Sequence, residues 1–104
     1  MSESGTPVEA LGKAVELKAN LAAAQREIAD TDRQLRTISD EQARLRANIK
    51  ELPPTSAAYK RYLEKFDKQE TEIEKLQGES KMLRESENQK RKEFEAFVMG
   101  LEVE

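Results

Sequence analysis

The chain has 104 residues and a mass of 11.9 kDa, room for one small domain. Charged residues make up 38% of it, against roughly 25% in an ordinary globular domain, and the net charge is −3. Histidine, cysteine and tryptophan are absent, which excludes Ser-His triads, cysteine nucleophiles, disulfides and the usual zinc sites.

Residues 1–6 are small and polar and read as an N-terminal tail. Thr6-Pro7-Val8-Glu9 then opens a helix: Thr6 and Glu9 have the spacing of a capping box, and Pro7 falls at the first helical position, where its missing NH costs nothing. The first helix is expected over 7–52. Its stripe is Ala10, Ala14, Leu17, Leu21, Ala24, Ile28, Thr31, Leu35, Ile38, Gln42, Leu45, Ile49 and Leu52, in alternating steps of four and three. Eleven of these 13 are apolar, a heptad pattern sustained over about six repeats.

A Pro-Pro turn is expected at 53–56. Pro54 lacks a helical NH, and Pro53 pushes Leu52 out of the helical region. Thr55 or Ser56 is placed to cap the second helix, expected over 57–101. Its stripe is Tyr59, Tyr62, Phe66, Gln69, Ile73, Leu76, Ser80, Leu83, Glu87, Lys90, Phe94, Phe97 and Leu101, and it holds all five aromatic residues of the chain.

A short break between two long helices predicts an antiparallel hairpin. Folded at the prolines, the stripes pair without a skip: Leu52 meets Tyr59, Leu45 meets Phe66, Ile38 meets Ile73, Ile28 meets Leu83 and Ala14 meets Phe97. The expected fold is all-α: a long antiparallel two-helix coiled-coil hairpin, with two hairpins able to pair into a four-helix bundle. Polar layers coincide in the same register. Gln42 faces Gln69 and Thr31 faces Ser80, and two facing glutamines are expected to bond each other and fix the register. Ala24 faces Glu87 and Leu21 faces Lys90; those two charges are expected to snorkel outward and pair locally, with Arg91 beside them.

Apolar residues also fall outside the seam: Leu11, Leu63 and Val98 take e positions and Val8, Val15, Ala22 and Ala29 b positions, most of them at the end opposite the prolines. Leu11, Val15, Leu63 and Val98 stand out among them. They are the candidate interaction residues, covered either by a second copy in a homodimer or by the rest of a parent protein. In the dimer the turn-end Leu63 of one copy would approach Leu11 and Val98 of the other.

Residues 44–50, the Glu51-Leu52-Pro53-Pro54-Thr55-Ser56 turn, 59–63 and 69–76 resemble the helical hairpin near the C-terminus of large bacterial proteins of unknown function related to the mucoidy-inhibitor-A-like group. The likeness covers roughly residues 10–100 and is densest at 44–77. It implies a fragment or short relative that lacks the β-rich body of the group, and carries no activity to any residue.

The expected function is a non-catalytic structural or protein-interaction module, with no catalytic, cofactor or metal residues and no small-molecule substrate. The alternative is a nucleic-acid-binding hairpin arm using Arg33, Arg36, Arg44, Arg46, Lys50, Lys60 and Arg61; interleaved acids and a pI of about 5.2 weigh against it. The longest apolar runs, Leu21 to Ala24 and Ala96 to Met99, are far short of the roughly 20 residues of a membrane span.

Overall fold

The computed structural model describes the backbone of residues 7–103 and the side chains of residues 7–101. Helix α1 runs Pro7–Lys50 and helix α2 runs Ala57–Val103, and there is no strand among the described residues. The two helices form an antiparallel coiled-coil hairpin. The expected Thr6 cap and the tail at 1–6 lie outside the described residues.

α1 stops at Lys50, two residues short of the sequence expectation. Pro53 bars Leu52 from helical geometry, so the chain tightens early: the NH of Glu51 reaches the carbonyl of Asn48 at 3.1 Å, and that of Leu52 reaches Ile49 at 3.2 Å. The start of α2 is settled in favour of Ser56. Its hydroxyl accepts the NH of Tyr59 at 3.1 Å and donates to the carbonyl of Pro53 at 2.8 Å, the bonding of an N-cap that also closes the turn.

Contacts divide the chain into two units: Met1–Ile28 with Met82–Glu104, and Ala29–Lys81, which contains the turn. In both, burial follows the heptad stripes. Every residue of the two stripes is buried or half-buried except Leu101, which is exposed at 37%. Yet only Ala24, Leu45 and Leu76 are buried among the apolar residues. Two helices cover each other along one line, so the large side chains of that line remain wet on their flanks.

In the turn-containing unit the Gln42 layer differs from expectation. Gln42 is buried, but its amide donates to Glu70 Oε1 at 2.9 Å rather than to Gln69, and Gln69 Oε1 is left buried without a partner. The carboxylate is the stronger acceptor, and the e position of Glu70 lies within reach of the a position of Gln42. Thr31 and Ser80 are both buried, as a shared polar layer requires. Arg46 lies over the ring of Phe66 at 5.5 Å on the same flank.

In the other unit Glu87 does not snorkel. It is only 8% exposed, opposite the buried Ala24. Its Oε2 accepts from Arg91 one turn on and from Gln25 Nε2 of α1 at 3.3 Å. The local pairing is as expected, while the outward swing is not: alanine opposite leaves room for the carboxylate to lie inward, and two donors meet it there. Lys90 is half-buried.

Candidate interaction surface

Two positions off the seam decide what this surface can do. In α1, Val8, Leu11 and Val15 follow one another at steps of three and four, which places them on one flank of the helix. They are 78%, 63% and 68% exposed. No polar side chain lies between Leu11 and Val15 on that flank, because the flanking positions are Gly12 and Ala14. A Cβ added at Gly12 would meet nothing within 4 Å.

Across the seam, the e position of α2 that pairs with Leu11 is Val98. It is half-buried rather than free, so it borders the patch and contributes part of its surface. Met99 and Leu101 are exposed in the same unit. The structure thus brings three of the four candidate residues, Leu11, Val15 and Val98, into one unit. Leu63 belongs to the other unit, where it is 43% exposed and stands among Lys60, Glu64 and Asp67. Among the described residues seven large apolar side chains are exposed; six fall in the unit of the helix ends, and Leu63 does not. Sequence reading passed over Met82 and Met99 because neither falls at a core or flank position of the heptad; exposure is what marks them.

A shallow groove of about 240 Å³ lies between Glu41, Arg44 and Asn48 of α1 and Tyr62, Lys65 and Gln69 of α2. A second, of about 370 Å³, is lined by Asp30, Arg33, Gln34, Thr37 and Ile38, all of one helix, so nothing closes its far side. Among the described residues no three Asp or Glu side chains are grouped to hold a metal ion. No helix is long and apolar enough to cross a membrane. Of the basic residues toward the turn, Arg33 pairs with Asp30 at 2.9 Å and Arg46 lies over the Phe66 ring.

No family model, curated protein or solved structure matches the chain.

Proposed function

We propose that the protein is a non-catalytic coiled-coil interaction module that docks an apolar partner surface on the Val8–Leu11–Val15 flank of α1. The observation that carries this reading is the concentration of exposed large apolar side chains in one unit of the hairpin. Scattered apolar residues are normal on a surface, whereas a contiguous group rimmed by charge marks an interaction site. On the likeness of residues 44–77, the same reading takes the chain as a fragment or short relative of a larger bacterial protein.

The test is dye binding. An apolar fluorophore such as ANS, added to dilute protein, is expected to brighten with the wild-type chain. It should lose most of that signal with Val8→Gln, Leu11→Gln and Val15→Gln combined, while the helical circular-dichroism signal stays. Equal brightening by the two proteins would overturn the reading. A gel shift with duplex and single-stranded nucleic acid separates the alternative, since phosphate binding weakens steeply with salt.

A further inference from the structure

We infer that the partner of the α1 flank is a second copy of this chain, with the two α1 helices packed antiparallel about a two-fold axis near residue 13. The inference rests on the docking role of that flank and adds the identity of its occupant. A two-fold interface must be self-complementary: each residue meets its partner's counterpart in both directions. Antiparallel helices set positions of one heptad class against positions of the other. Val8 and Val15 are b positions and Leu11 is an e position, so an axis near residue 13 sets Leu11 against Val15 of the other copy, and Val15 against its Leu11.

The edges of this pairing are consistent with it. Gly12, Ala14 and Ala19 beside the stripe are small and let the backbones approach. Lys18, the one charge on the stripe near the axis, falls opposite Val8 of the second copy. There its aliphatic stem covers the valine and its ammonium reaches water. Covering Val8, Leu11 and Val15 on both copies, with Val98 alongside, hides on the order of 1,000 Å², the lower bound for a specific interface. Leu63 has no place in this arrangement. It is less exposed than the three α1 residues and lies in the other unit, so the head-to-tail pairing suggested by the sequence gives way to one within the unit of the helix ends.

Light scattering across the micromolar range tests this with the intact chain. Wild type is expected at twice the 11.9 kDa chain mass, Leu11→Glu/Val15→Glu at the single-chain mass with its helical signal retained, and Leu63→Glu still at twice the mass. A second measurement does not depend on how the charged variant folds. The chain has no cysteine, so Leu11→Cys chains mixed with Val15→Cys chains should cross-link to each other. Neither should cross-link to itself as well, because like residues are four positions, or about 6 Å, out of step.

A wild type that stays at single-chain mass at all concentrations overturns the second-copy assignment. Should the dye result still hold, the docking flank survives and belongs to another protein. A dimer that persists in Leu11→Glu/Val15→Glu, or one that Leu63→Glu dissolves, overturns the geometry.

Discussion

Replacing Glu87 by leucine tests the energetics of the hairpin most sharply, because the residue is a carboxylate inside an apolar stripe. Three contributions set the expected sign. Holding an ionised carboxylate out of water costs several kcal/mol. Its compensation is weak: Arg91 is 43% exposed at the side chain, so that ion pair contributes at most about 1 kcal/mol, and the Gln25 bond at 3.3 Å is long for a charge-assisted contact. A leucine in the same place, opposite Ala24, gains about 1.5–3 kcal/mol from burial. Apolar replacements of buried pairs are commonly neutral to stabilising. Glu87→Leu is therefore expected to stabilise the chain by about 1–2 kcal/mol, a rise in Tm of about 5–10 °C for a domain of this size.

Arg91→Ala should act in the opposite direction. It removes that ion pair and leaves the carboxylate with one neutral donor, which costs up to about 1 kcal/mol and lowers Tm by up to about 8 °C. In the Glu87→Leu background the same arginine change should be nearly silent, because its partner is gone. Thermal unfolding followed by circular dichroism measures all four proteins, at one fixed concentration so that any association shifts them equally. A fall in Tm for Glu87→Leu, or no change for Arg91→Ala, would refute the account of a poorly compensated buried charge.

Four further outcomes are expected. Gln69→Leu should stabilise by about 1–3 kcal/mol in denaturant titration, because it removes a buried oxygen that has no donor. Ser56→Ala should cost about 1 kcal/mol and Thr55→Ala almost nothing, since only the Ser56 hydroxyl caps α2. Gly78→Ala should raise stability by about 1 kcal/mol, because its Cβ meets nothing and the helix gains propensity. Cysteines at Ile38 and Ile73 should cross-link within one chain on mild oxidation, whereas the pair at Ile38 and Leu83, about 15 Å out of register, should not.

The sequence was legible where geometry alone decides. Steps of three and four select one line on each helix, and the constant pairing across the prolines follows from chain connectivity. The observed bonds of Gln25 to Glu87 and Gln42 to Glu70 each fall one position from the layers expected from that register. Side-chain choices were less legible. A heptad places Gln42 and Gln69 in one layer, but does not say that Gln42 prefers the charged acceptor one position along. It marks Glu87 as an interruption, but not that Ala24 leaves room for its carboxylate or that Gln25 reaches it from α1. Thr55 and Ser56 are equal as caps until the backbone fixes which hydroxyl faces the NH of Tyr59.

Both polar and apolar side chains line the flanks of the hairpin beside its seam. In the turn-containing unit, Gln42 with Glu70 and Arg46 with Phe66 close the e flank with polar and cation–π contacts. These contacts reward one register and leave little apolar area exposed. In the other unit, Gln25, Glu87 and Arg91 make polar contacts across and along the seam, and toward the helix ends the flank also carries Leu11, Val15 and Val98. Apolar flanks stabilise a two-helix hairpin poorly, because a single neighbour covers only one side of each residue. Residues that helped only the isolated hairpin would be the polar, bonding kind found around Gln42. Valine and leucine at 63–78% exposure add burial energy only when a further surface lies over them, which is what the proposed docking on the Val8–Leu11–Val15 flank would supply.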